Sequence, residues 1–173
     1  MQMPTQGKIL KLARSGLLLA AALVLSYIES VLGMRFALLP WMILGLANIV
    51  IAFVFFEFSL SEALSVSVCR VLIMGILFGS PVSFLYSFCG AVFSFAGLIT
   101  ARLMGKRISY IGSSVLCAVL HNFGQSIVAA FFFGIDVAAF YLPYLLFFGC
   151  VFGAITGTLL NYISKKYQKV ISR

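Results

Sequence analysis

The sequence predicts an all-α polytopic integral membrane protein, with six transmembrane helices in one bundle and both termini cytoplasmic. Three observations carry that prediction. First, 63% of the 173 residues are hydrophobic, only 9% are charged, and the mean hydropathy is +1.16. There is too little polar surface here to coat a water-soluble domain of this size. Second, about 20 apolar residues cross the hydrocarbon core of a bilayer, so this length holds six spans with short loops and no soluble appendage. Third, the basic residues cluster at the amino end, between the fourth and fifth spans, and at the carboxyl end. An even number of spans puts all three clusters on one side, and the positive-inside rule makes that side the cytoplasm.

The elements follow in order. Lys8, Lys11 and Arg14 recur every three residues before a first span over 13–32. This start resembles a signal peptide, but the apolar run continues to Leu32 and carries Glu29, so a retained span is expected. Ala22, Ser26, Glu29, Ser30 and Gly33 share one stripe of it. Gly33 to Pro40, with Arg35, is expected as an outer loop, and Trp41 as an interfacial aromatic. The second span is expected over 41–56, followed by an inner turn from Glu57 to Glu62, and the third over 63–78. Gly79-Ser80-Pro81 breaks the chain before a fourth span over 82–103, on which Ser83, Ser87 and Ala91 form a small-residue row. Arg102, Lys106 and Arg107 mark the next inner loop. The fifth span is expected over 112–133, an outer loop with Asp136 over 134–138, and the sixth span over 140–163. Gly149, Gly153 and Gly157 repeat the G-x-x-x-G spacing that lets two membrane helices pack closely.

The fifth span is the most informative. In steps of four, Ser113, Cys117, His121, Gln125 and Ala129 form one row, and Ser114, Ala118, Asn122, Ser126 and Ala130 the next. Both rows are small or polar. The two opposite rows, Val115 to Phe131 and Leu116 to Phe132, are nearly all bulky and apolar. Such a helix presents one face to lipid and the other to protein or a cavity.

Five polar residues lie near the middles of their spans: Asn48, Arg70, His121, Asn122 and Gln125. Glu29 lies roughly 9 Å outward of its span's midpoint, at 1.5 Å per residue. Charges at such depth are costly and mark functional sites by default. Arg70 and Glu29 are the deeply placed opposite charges, so they are expected to pair or to share a wet cavity. The same residues admit a structural role, as an ion pair fixing register and as hydrogen bonds between helices. Their concentration on few helices, at nearly one level, favours a binding cavity opening outward.

Several chemistries are excluded. The net charge of +8 sits at helix ends and not on a patch, so no nucleic acid is expected. Cys69, Cys89, Cys117 and Cys150 lie in apolar segments without C-x-x-C spacing and read as packing residues. One histidine and four acidic residues make no ordinary metal site. No H-E-x-x-H or G-x-x-x-x-G-K-[ST] occurs, so no catalytic residue and no cofactor are assigned, and any ATPase must be another subunit.

Leu25-Ser26-Tyr27-Ile28-Glu29, Leu44-Gly45-Leu46-Ala47-Asn48, Arg70-Val71-Leu72, Leu77-Phe78-Gly79-Ser80, His121-Asn122-Phe123-Gly124-Gln125 and Tyr141-Leu142-Pro143 occur in this order. Together they resemble a bacterial membrane family known as Gx transporters, also named heptaprenyl diphosphate synthase component I. The resemblance covers nearly the whole chain. That family is similar to the six-helix S-components of energy-coupling-factor transporters. The likeness implies a substrate-binding subunit of a small-molecule uptake system in the bacterial cell membrane, working with a transmembrane coupling subunit and ATPase subunits. The ligand site of such a subunit is expected at the polar residues singled out by depth, Glu29, Asn48, Arg70, His121, Asn122 and Gln125. The family usually has a lysine where this chain has Ile43. S-components dock through small residues of the first helix, which directs attention to Gly16-x-x-x-Ala20 and Ala22-x-x-x-Ser26. The alternative in the family's other name is a noncatalytic membrane component of polyprenyl diphosphate synthesis. Catalysis itself needs aspartate-rich motifs, and Asp136 is the single aspartate.

Overall fold

A computed structural model describes residues 4–36, 45–78 and 80–172. The described residues form six α-helices: α1 Pro4–Phe36, α2 Leu46–Glu57, α3 Leu60–Phe78, α4 Pro81–Met104, α5 Tyr110–Phe133 and α6 Ile135–Ile171. A 3-10 turn, Gly105–Arg107, joins α4 to α5. All but α2 are long and apolar enough to cross a membrane. The chain is thus an all-helical, multi-pass membrane bundle.

Local chemistry sets the helix starts. Ser80 caps α4 by accepting from the Ser83 amide at 3.2 Å, with Pro81 at the first helical position, where its missing N–H costs nothing. Ser109 caps α5 by accepting from the Gly112 amide. Ser59 accepts from the Glu62 amide and donates to the Glu62 carboxylate, a reciprocal cap at the start of α3.

Four boundaries differ from the sequence expectation. α1 continues to Phe36, so the start of the expected outer loop is helical; Trp41 and Ile43 lie outside the described residues. The 134–138 loop is a single hinge residue, Gly134 at φ 91°, after which α6 begins with Asp136 in its first turn, where the helix dipole favours a carboxylate. At its other end α6 runs on through Lys165, Lys166 and Lys169. Hydropathy marks the width of the membrane, whereas the backbone stays helical wherever its side chains favour it. The second span is the reverse case. Gly45 adopts the left-handed conformation at φ 76°, so α2 begins only at Leu46 and spans 12 residues. That is about 18 Å, well short of a hydrocarbon core.

α5 is the central element, packed most extensively against α6 and α4. α6 also touches α2, α2 touches α3, and α3 touches α4, so these five helices close into a ring. α1 packs outside that ring, against α2 and α3. The α5–α6 contact uses the glycine repeat. A Cβ on Gly153 would stand 2.7 Å from Val115 Cα, and one on Gly157 would stand 2.6 Å from Ile111 Cα. Only hydrogen fits there, so the two backbones touch. On α5, Phe123, Ile127 and Phe131 face outward, but Gly124 and Val128 from the second apolar row are buried. On α4 the buried row is Tyr86, Gly90, Ser94, Gly97 and Ala101, beside the expected Ser83 row.

The basic amino end is tied to the ring. Arg14 meets the Glu62 carboxylate at 2.7 Å and Lys11 meets it at 3.4 Å, while the Arg14 guanidinium lies over the Phe58 ring. Gln168 and Tyr110 both donate to Glu57. The start of α1 and the end of α6 therefore flank the same α2–α3 turn, and both chain ends lie at one end of the bundle.

Candidate functional site

The site begins with a helix that lacks its own cap. Gly45 has no side chain to offer the amides at the start of α2. Glu29, from α1, supplies the acceptor: Leu46 N donates to Glu29 Oε1 at 2.8 Å and Ala47 N approaches Glu29 Oε2 at 3.5 Å. A carboxylate here also faces the positive end of the helix dipole. This fixes the first turn of α2, and with it Asn48.

Asn48 Nδ2 lies 3.4 Å from His121 Nδ1, and Gln125 Nε2 lies 3.2 Å from His121 Nε2. A neutral imidazole carries one N–H and one acceptor nitrogen, so one of the two amides presents its oxygen to the ring and the other its nitrogen. The ring rests on α4 at Gly90, where an added Cβ would stand 2.6–2.9 Å from three ring atoms. His121 is 3% exposed and Gln125 is fully buried. Gly90→Ala is expected to push the imidazole off its seat and to cost about 1–2 kcal/mol in broken hydrogen bonds. Thermal unfolding in detergent measures the loss, and in a His121→Ala background the same substitution should cost almost nothing.

Arg70 does not pair directly with Glu29. Both ion pairs among the described residues involve Glu62, and Arg70 Nη1 donates instead to Ser26 Oγ at 3.3 Å. Arg70 still acts electrostatically on both Glu29 and His121. The reason for the broken expectation is competition, since two backbone amides already hold the carboxylate.

Asn122 stands apart from the other five residues. Its Nδ2 donates to the Leu145 carbonyl of α6 at 2.6 Å, and a Cβ on Gly149 would come within 2.8 Å of that nitrogen. The two polar rows of α5 therefore divide their work. The His121 row faces the ring interior, and the Asn122 row faces α6.

A cavity of about 20 Å³ lies inside the ring, lined by all five of its helices, including Asn48, Ser67, Ser94, Ser114, Cys117 and Thr156. It holds about one water molecule. Of the six expected site residues only Asn48 lines it. Ser67 and Cys117 lie three and four residues before Arg70 and His121, which puts the cavity one helical turn toward the basic end of the bundle. Sequence reasoning missed Gly90, Ser94 and Thr156. The signal for the α4 pair was present, because Gly90, Ser94 and Gly97 repeat at helical spacing. The first-helix motifs also separate: Gly16 and Ala20 are exposed, and Ala22 and Ser26 are buried against the ring.

Apolar helices around a buried polar network define a class, the multi-pass membrane proteins with a hydrogen-bonded interior. Residues 18–163 match the family described as heptaprenyl diphosphate synthase component I, and the chain belongs to that family. No curated protein and no solved structure matches the chain.

Proposed function

We propose that this protein is a membrane-embedded, substrate-binding subunit of a small-molecule uptake system, similar to an energy-coupling-factor S-component. The observation that carries this reading is the buried group of Asn48, His121 and Gln125, with Glu29 setting the position of Asn48 and Arg70 acting electrostatically on Glu29 and His121. Packing alone does not require so many strong hydrogen-bonding groups at one depth. Asn122 belongs to the proposed site as the residue that locks α5 to α6 beneath it. The cavity inside the ring holds about one water molecule, so binding requires the helices to part, and α1, outside the ring, is the element that would move once its Glu29 contact with α2 is released. Its exposed Gly16-x-x-x-Ala20 stripe is the proposed seat for a transmembrane coupling subunit, with ATPase subunits beyond it. The basic end is assigned to the cytoplasm, across a bacterial cell membrane.

The family's name favours a second reading, a noncatalytic component of a polyprenyl diphosphate synthase. One experiment separates the two. Affinity purification from the native membrane is expected to bring down ATPase and coupling subunits; recovery of a soluble prenyl synthase in their place favours the second reading. His121→Ala should leave insertion and purification intact while abolishing uptake. Normal uptake in that variant removes the site assignment.

A further inference from the structure

Arg70 is 7% exposed, lies within the bundle, and uses one of its five N–H groups on a single 3.3 Å hydrogen bond to Ser26. Its Nε has no hydrogen-bond partner among the described residues. Gln125, with no exposure at all, spends one amide atom on His121, and its other amide atom has no partner among the described residues. Buried polar groups are normally satisfied, and a guanidinium most of all. Two such deficits, one on α3 and one on α5, flank His121, which Gln125 meets directly and Arg70 influences electrostatically, and they mark the place where another molecule's atoms belong.

The charge balance narrows the chemistry. Arg70 contributes one positive charge. With its carboxyl ionised, Glu29 is the nearby negative charge among the described residues, and the start of α2 already holds it through two amides and about half a unit of dipole charge. His121 and the two amides add no fixed charge. A dianion would leave an excess of about one and a half negative charges in a low-dielectric interior, which is prohibitive. A monoanion leaves about half a unit, and its two oxygens match the guanidinium fork. A neutral acceptor would engage Arg70 through one oxygen and waste the fork.

We infer that the site recognises a monoanionic carboxylate, which takes the Nε–Nη2 edge of Arg70 beside the Nη1 bond to Ser26 and sets an adjacent hydrogen-bonding group against the free amide atom of Gln125. This rests on the binding reading above and deepens it. Doubly charged phosphomonoesters and diphosphates are disfavoured by the same balance, a polyprenyl diphosphate among them.

The test uses the purified full-length protein, reconstituted in lipid nanodiscs and incubated with a deproteinated yeast extract of water-soluble small molecules. After washing, retained species are released and identified by mass spectrometry, for wild type, Arg70→Gln, Arg70→Lys and Gln125→Leu. The expected result is retention of carboxylates without phosphate, lost at least tenfold in Arg70→Gln and Gln125→Leu. Arg70→Lys keeps the charge without the fork and should retain the same species several-fold more weakly. Retention of neutral or phosphorylated species, or equal retention by Arg70→Gln, overturns the carboxylate assignment while leaving a binding protein. Retention of nothing by wild type overturns both this inference and the binding reading. Circular dichroism of each variant shows whether a loss comes from unfolding, and Gln125→Leu, uncharged and similar in size, keeps the test open should Arg70→Gln fail to fold.

Discussion

Gly153→Leu is expected to be the most damaging single substitution in the bundle. The first carbon of the new side chain would meet Val115 Cα at 2.7 Å, and the Ser114 carbonyl lies 3.1 Å away. Neither is the tip of a flexible side chain, so relief requires α5 and α6 to separate. Overpacking of this kind costs roughly 3 kcal/mol. The separation would also stretch the Asn122–Leu145 bond two turns away. Unfolding of the purified protein by graded denaturing detergent reads the loss. Gly16→Leu is the internal control, because nothing lies within 4 Å of its Cβ position, and its cost should stay within about 0.5 kcal/mol. Equal effects at the two positions would mean that the glycine repeat does not form the α5–α6 contact.

Glu29→Ala ranks second. It removes the acceptor from the amides of Leu46 and Ala47, at a helix start that Gly45 cannot cap. A buried donor left without a partner costs about 1–3 kcal/mol, and the lost dipole interaction adds up to about 1 kcal/mol. Glu29→Gln should recover part of the loss, since its amide keeps one acceptor oxygen. Amide hydrogen exchange at Leu46 and Ala47 should quicken in Glu29→Ala and less so in Glu29→Gln. If exchange at these amides is unchanged, Glu29 is not the cap.

Much of this was legible in the residues. The helical class followed from composition, and the fifth helix announced its two polar rows through four-residue spacing. Spacing could not say which row meets α6 and which faces the interior, because neighbouring rows lie about 100° apart on one helix. The glycine repeat answered it, since Gly149 leaves room for Asn122 and not for His121. Glu29 was singled out by depth, but its direct hydrogen-bond partners are the amides at the start of α2. Opposite charge suggested Arg70, whereas the deciding fact was an uncapped helix, which shows only once Gly45 is seen in its left-handed conformation. Gly90 escaped notice because its importance lies in the imidazole above it, a contact between residues thirty-one positions apart.

The standing of α1 outside the ring has a mechanical meaning. It is fastened at two places about 22 Å apart at 1.5 Å per residue, by Arg14 to Glu62 near one end and by Glu29 to the first turn of α2 near the other. A rod pinned twice resists sliding and tilting alike. Release of the Glu29 pin alone turns it into a lever pivoting on the Glu62 pin, and its long arm carries Ser26 away from Arg70.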